Sequence, residues 1–135
     1  MSDSRVYKIF ISHAWNYSSE YLKIKEFLQE AKSFNFQIVS VPNTGSVDPD
    51  DKAGLRESIK KQIRYSEVVV ILAGMYSYNT EWLDFEMDFA RIWNVPIIVV
   101  KPWDNRSIPP ALAARGGELV SWSTALLVSA IKNAV

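Results

Sequence analysis

The chain has 135 residues, no cysteine, one histidine and a formal net charge of zero, with 48% hydrophobic and 22% charged residues. This length predicts a single domain over residues 1–135, and the composition excludes a disordered or fibrous chain. The missing cysteines exclude disulfides and thiolate zinc sites, a single histidine excludes a His-rich metal site, and the balanced charge argues against nucleic-acid binding.

Apolar runs alternate with helical patterns along the chain. The predicted strands are Val6–Ile11, Phe36–Val41, Val68–Gly74, Pro96–Val100 and Glu118–Trp122. The predicted helices cover residues 18–33, 53–65, 80–93 and 123–134. The third and fourth runs do not alternate with polar residues, which predicts strands that are buried on both faces. The order of elements predicts a doubly wound α/β fold with a five-stranded parallel sheet and right-handed crossovers.

Each helical pattern predicts an apolar face. The residues expected on these faces are Tyr21, Leu22, Phe27, Leu28 and Ala31 in the first helix, Leu55, Ile59 and Ile63 in the second, and Leu126, Leu127, Ala130 and Ile131 in the last. The N-terminal segment lacks the apolar core of a signal peptide, and the longest apolar run is too short to span a bilayer. We therefore expect a cytoplasmic protein with no membrane contact.

Ligands of doubly wound sheets bind beyond the carboxyl ends of the strands. Ser12, His13 and Trp15 follow the first predicted strand, Asn43 lies in the long loop after the second, and Trp103 follows the fourth. The composition of these loops is compatible with a binding site but does not define one. Neither a GxGxxG nor a GxxxxGK[ST] phosphate-binding motif occurs.

One carboxylate of the third predicted helix lies on its apolar side, where a charged residue is not expected. With Trp82 set at zero, Phe89 falls at about 340°, Trp93 at about 20°, Glu86 at about 40° and Ala90 at about 80°. Glu86 is therefore the one acid inside the apolar arc, which includes Trp93. Burial disfavours the charged form and raises the pKa of a carboxyl group, as expected of a tuned catalytic group. The alternative is a structural Glu86 that pairs with a neighbouring Lys or Arg, or that reaches solvent at the edge of the helix.

Four segments carry a resemblance to a known family. They are KIFISHAW at 8–15, VSVP at 39–42, ILAGMYSYNTEWLDFEMDFA at 71–90 and PIIVVKPWDN at 96–105. The chain resembles TIR-like domain proteins of the ThsB type, from the bacterial Thoeris anti-phage defence system. The resemblance implies a flavodoxin-like, three-layer sandwich.

The resemblance also implies a site. TIR domains that cleave NAD carry a Trp-x-x-x-Glu motif on the third helix, which corresponds here to Trp82 and Glu86. Glu86 is then the catalytic group, and NAD is a substrate rather than a cofactor, with no metal required. The residues expected to border NAD are Ser12, His13, Trp15, Asn43, Trp82 and Trp103. Many TIR domains have Cys after the Trp, where this chain has Leu83.

Three functional hypotheses follow. The first is an enzyme that cleaves the nicotinamide–ribose bond of NAD and forms ADP-ribose, a cyclic isomer or a conjugate as a defence signal. A diffusible product would then reach a separate effector. The second is a non-catalytic TIR-type assembly module, and the third is an inactive or regulatory nucleotide-binding domain. An inward Glu86 favours the first. The long loop Asn43–Asp51 is expected to support self-association or TIR–TIR assembly.

Overall fold

The computed structural model describes most of the predicted elements. The described residues are 6–11, 19–31, 34–39, 52–73, 80–101, 110, 112 and 117–135, without the side chains of residues 19–21, 52–53, 55 and 80–82. The strands are β1 (Val6–Ile11), β2 (Asn35–Val39), β3 (Val68–Leu72), β4 (Ile97–Val100) and β5 (Glu118–Val120). The helices are α1 (Ser19–Glu30), α2 (Lys52–Tyr65), α3 (Thr80–Ile92) and α4 (Thr124–Ala134).

All described strands pair in parallel, in the order β2-β1-β3-β4-β5. In the register at the centre of the sheet, Ile9 of β1 lies opposite Ile38 of β2 on one side and Val68 of β3 on the other. Every residue of β3 is buried, as the unbroken apolar run predicts for a strand covered on both faces. The expected doubly wound, flavodoxin-like architecture is therefore confirmed.

Alternation along the strands divides the core into two layers. On the first side of the sheet, Ile9 and Val70 pack with Leu28 of α1 and Ile131 of α4; we call this the α1/α4 face. On the other side, Phe10 and Val69 belong to a separate cluster that also contains α2 and α3 residues; we call this the α2/α3 face. Successive side chains of a strand point to opposite faces, so one run of apolar residues supplies both layers.

In α1 and α4, two of the residues predicted on the apolar faces are exposed. Leu22 of α1 is 50% exposed and Leu126 of α4 is 55% exposed. In α4 the buried residues are Leu127, Ala130 and Ile131, whose spacing defines a narrow stripe that leaves Leu126 on its flank. In α1 the buried pair is Ile24 and Leu28, one turn apart, and Leu22 points away from it.

The ends of the elements follow local hydrogen bonding. α4 begins after Ser123, whose hydroxyl accepts a hydrogen bond from the Leu126 amide at 3.3 Å, as an N-cap does. β3 ends at Leu72 rather than at Gly74, and β5 ends at Val120 rather than at Trp122. Within the described parts of the chain, every helix is too short or too polar to cross a lipid bilayer.

Candidate functional site

Helix α3 places a carboxylate in the core. Glu86 is 2% exposed, and the other buried polar residue among those described is the uncharged Ser66. The Oε2 atom of Glu86 is shielded from solvent. The helical-wheel prediction of an inward acid is thus confirmed. Burying a carboxylate costs free energy, so a position that retains one needs a compensating interaction or a function.

The surroundings of Glu86 explain why it is held there. Leu83, Met87 and Ala90 on the same helix are all buried against the α2/α3 face of the sheet. These three positions and Glu86 span an arc of about 100° on the helix, with Glu86 at one edge. The core packing of the three apolar side chains therefore favours the rotation that carries Glu86 inward.

The described aromatic residues of α3 and its C-cap are less buried than its aliphatic residues. Phe85 and Phe89 are only partly buried and pack at the margin of the cluster. Trp93, expected inside the apolar arc, is 50% exposed, which corrects that prediction. The centre of the buried face of α3 therefore lies at Leu83 and Met87 rather than at Phe85, Phe89 and Trp93.

The exposure of Trp93 has a local cause, because α3 ends one residue before it. Asn94 adopts a positive φ of 56°, the left-handed conformation that ends many helices. The Val95 amide donates to the Ala90 carbonyl at 2.8 Å, and the Asn94 amide donates to the Arg91 carbonyl at 3.1 Å. This pair of bonds is a Schellman motif, with Trp93 at the C-cap.

The topology locates this helix at the predicted ligand-binding edge. In a sheet of order 2-1-3-4-5, ligands bind beside the carboxyl ends of β1 and β3, where the connections leave to opposite faces. Here β1 leads to α1 on the α1/α4 face, and β3 leads to α3 on the α2/α3 face. Because α3 returns from the carboxyl end of β3, Trp82 in its first turn lies nearer that edge than Glu86 does. Glu86 follows one helical turn later, about 9 Å from the start of the helix.

Most of the predicted NAD-contacting residues lie outside the described parts of the chain. These are Ser12, His13, Trp15, Asn43 and Trp103. Trp82 lies within α3, but its side chain is also outside the described set. The carboxyl ends of β1, β2 and β4 lie at the same edge of the parallel sheet as the start of α3.

Sequence reasoning missed a row of cations on α2. Arg56 lies over the Phe85 ring, Lys60 over the Phe89 ring and Arg64 over the Trp93 ring. The available signal was the i, i+4, i+8 spacing of cations in one helix and of aromatics in the next. Two open surface pockets lie elsewhere. One, of about 600 Å³, is lined by residues at the end of α1 and in α4, and the other, of about 350 Å³, by residues between the end of α3 and the start of β4; Glu86 lines neither. No group of metal-ligating side chains occurs among the residues described.

Comparisons of structure show the fold alone. A 3-dehydroquinate dehydratase-like protein from Bifidobacterium longum is 11% identical, with a TM-score of 0.50 over 96% of this chain and 94% of that chain. The structure of CapF with the inhibitor 3-isopropenyl-tropolone is 19% identical, with a TM-score of 0.45 over 86% of this chain and 29% of that chain. The second similarity is too low to support an argument.

Comparisons of sequence are more specific. No curated protein sequence matches the chain. The family model described as Thoeris protein ThsB, TIR-like domain, matches residues 10–107, a range from β1 to beyond β4 that includes Trp82 and Glu86. This match covers more than half of the chain, and the fold agrees with it. The chain belongs to the family of TIR-like domains of Thoeris protein ThsB.

Proposed function

We propose that this TIR-like domain cleaves the nicotinamide–ribose bond of NAD, with Glu86 as the catalytic carboxylate. The observation that carries the proposal is the burial of Glu86, at 2% exposure, one turn beyond Trp82. Some TIR-like domains are NAD-cleaving enzymes, and in those the carboxylate of the Trp-x-x-x-Glu motif is catalytic. Burying a carboxyl group costs free energy, and a catalytic role would account for its retention in this core.

The chemistry needs only one carboxylate. When the bond between the ribose C1′ and the pyridinium nitrogen breaks, its electron pair stays on nitrogen, and nicotinamide leaves as a neutral molecule. Positive charge develops on the ribose, as in the oxocarbenium-like transition state of glycoside hydrolysis. Glu86 stabilises that charge and orients the ribose hydroxyls. Electrostatic stabilisation of this kind is stronger where water is excluded.

The acceptor at C1′ determines the product. Water attacks, loses a proton and yields ADP-ribose; an atom of the same molecule yields a cyclic isomer; another nucleophile yields a conjugate. We propose that this product is a signal in anti-phage defence that acts on a separate effector. The residues proposed to border NAD remain Ser12, His13, Trp15, Asn43, Trp82 and Trp103; the proposal is supported by the shared edge at which the carboxyl ends of the parallel strands lie.

The test is product analysis by mass spectrometry after incubation with NAD, for the unsubstituted protein and for Glu86→Gln. Glutamine keeps the shape and removes the charge, so nicotinamide release should fall by at least about a hundredfold, the size of effect seen when one transition-state contact is lost. Asp88→Asn is the matched control, since Asp88 is an exposed acid on the same helix. It should retain full activity.

Thermal unfolding of each variant separates chemistry from stability. Parental nicotinamide release by a folded Glu86→Gln variant would disprove the mechanism. Absence of nicotinamide release by the unsubstituted protein, at any protein concentration and with lysate from phage-infected cells added, would favour the non-catalytic assembly module.

A further inference from the structure

Among the described side chains, three contacts between a cation and an aromatic ring join α2 to the end of α3. The Arg56 guanidinium lies 5.9 Å from the Phe85 ring centre, the Lys60 ammonium 5.7 Å from Phe89, and the Arg64 guanidinium 5.2 Å from Trp93. All three distances are within the range at which a cation is attracted to the face of a ring. We call these contacts the cation–aromatic ladder.

The ladder has a constant register. Each rung lies one helical turn beyond the preceding rung on both helices, so the separation in sequence is the same for every pair. Only parallel helices can keep such a register, and both helices follow strands of one parallel sheet. A slip of α3 by one residue would turn it by about 100° and separate every ring from its cation.

The ladder lies next to the row that contains Glu86. Three neighbouring i, i+4 rows run along α3. The ladder aromatics form the first row, the second holds Glu86 and Ala90, and the third holds the core residues Leu83 and Met87. The Glu86 row therefore lies between the ladder and the core. Core packing restrains α3 on one side of this row, and the cation–aromatic contacts restrain it on the other side.

We propose that Arg56, Lys60 and Arg64 are positioning residues that set the rotation of α3 and so hold Glu86 in the core. This inference rests on the proposed function for its catalytic consequence, but not for its structural content. Rotation of α3 about its axis would carry Glu86 out of the buried position that it occupies. The ladder opposes that rotation, since the rings would have to leave their cations.

The simpler view is that these cations form a solvent-exposed face of α2 and have no effect on the position of α3. Lys60 also forms an ion pair with Glu57, one turn earlier on the same helix, at 3.4 Å. That pair lies within α2 and places no restraint on α3. The two views differ in what happens to α3 when the charges are removed, so the rotation itself has to be measured.

The absence of cysteine from the chain makes thiol labelling a direct measure of this rotation. Ala90→Cys places a thiol in the row of Glu86, at a fully buried position, and Asp88→Cys places one on the exposed side. In the Ala90→Cys background, Arg56, Lys60 and Arg64 are replaced together by methionine, which keeps most of the side-chain length. We expect the labelling rate to rise by roughly tenfold to a hundredfold, from the combined strength of three such contacts. Labelling in the Asp88→Cys background should not rise.

The control for lost stability is Ile131→Val in the Ala90→Cys background. Ile131 is buried on the α1/α4 face and does not belong to the cluster that contains α3. Labelling rates are compared after urea unfolding has given the stability of each variant. The loss of stability by itself raises the labelling rate by an amount that the urea data predict. If the labelling rate of the methionine variant rises by no more than that amount, the proposal is wrong. If the triple replacement does not fold, Lys60→Met alone, in the middle rung, gives the same comparison.

Rescue by other cations is the second control. Arg56→Lys, Lys60→Arg and Arg64→Lys together keep three charges at the same positions, and should restore both slow labelling and NAD cleavage. In the methionine variant without cysteine, we expect kcat to fall severalfold with little change in KM, because fewer molecules hold Glu86 correctly. The labelling result stands even if the unsubstituted protein does not cleave NAD, so the two proposals fail separately.

Discussion

The two faces of the sheet are built differently. The α1/α4 face is an aliphatic and aromatic cluster in which Tyr7 stacks on Phe34, and no charged side chain among the described residues is buried there. The α2/α3 face contains the buried Glu86 and is bordered by the cation–aromatic ladder. Among the described residues, the first face buries only uncharged side chains, whereas the second also buries a carboxyl group. A carboxyl group that is retained in a core is a candidate for a functional role.

The largest expected effect comes from deleting a matched leucine on each face. Leu83→Ala on α3 and Leu127→Ala on α4 each remove a nearly fully buried side chain, at 1% and 2% exposure. Both should lower the free energy of unfolding by about 2 to 5 kcal/mol, measured by urea denaturation. Below the unfolding transition, only Leu83→Ala should lose NAD cleavage, because Leu83 supports the helix of Glu86. Equal losses of activity in the two variants would remove the functional distinction between the faces.

The next effect concerns the aromatic residue one turn before Glu86. Trp82→Ala should reduce kcat/KM for NAD about tenfold or more, since stacking of a base or nicotinamide ring on an aromatic side chain contributes about 1 to 3 kcal/mol. Phe36→Ala is the comparison on the α1/α4 face, where the Phe36 ring stacks on Phe34 at 5.9 Å. It should lower the melting temperature without changing the kinetics. Unchanged kinetics in Trp82→Ala would place Trp82 outside the site.

A smaller effect is expected at the start of α4. Ser123→Ala removes the hydroxyl that accepts a hydrogen bond from Leu126, and should cost about 1 kcal/mol of stability. The helix belongs to the α1/α4 face, so NAD cleavage measured well below the melting temperature should be unchanged. Ser123→Asp, which keeps a capping oxygen, should retain the parental melting temperature. An activity loss in Ser123→Ala that Ser123→Asp does not restore would link this face to the site.

The smallest effect concerns Asn43–Asp51, the segment between β2 and α2 in the chain. Substitutions there, such as Asn43→Ala or Asp48→Asn, should change specific activity severalfold without changing the melting temperature. Specific activity should also rise with protein concentration, because we propose that self-association completes the site. A dilution series with light scattering checks this. Constant specific activity from a monodisperse monomer would contradict it.

Elements were predictable where one local pattern had one physical solution. The runs of β3 and β4 are apolar at successive positions, and a strand covered on both faces is the arrangement that buries such a run; every residue of β3 and all but the first of β4 are buried. Glu86 was found by the same logic, because helical periodicity places every residue relative to its neighbours. The exposure of Trp93 was not predictable in this way, since it depends on where Asn94 ends the helix. The assignment of five residues to the NAD site remains a prediction: Ser12, His13, Trp15, Asn43 and Trp103.

The sequence by itself determined the order of the elements, the inward direction of Glu86 and the resemblance to TIR-like domains, because these depend on local periodicity and on short motifs. Only the tertiary structure decided which residues of α1 and α4 face the core, because the width of a buried stripe depends on the neighbouring layer. It also decided that Arg56, Lys60 and Arg64 lie over Phe85, Phe89 and Trp93. These contacts join two helices that pack on the same face of the sheet, and no pattern within either helix specifies how the two align.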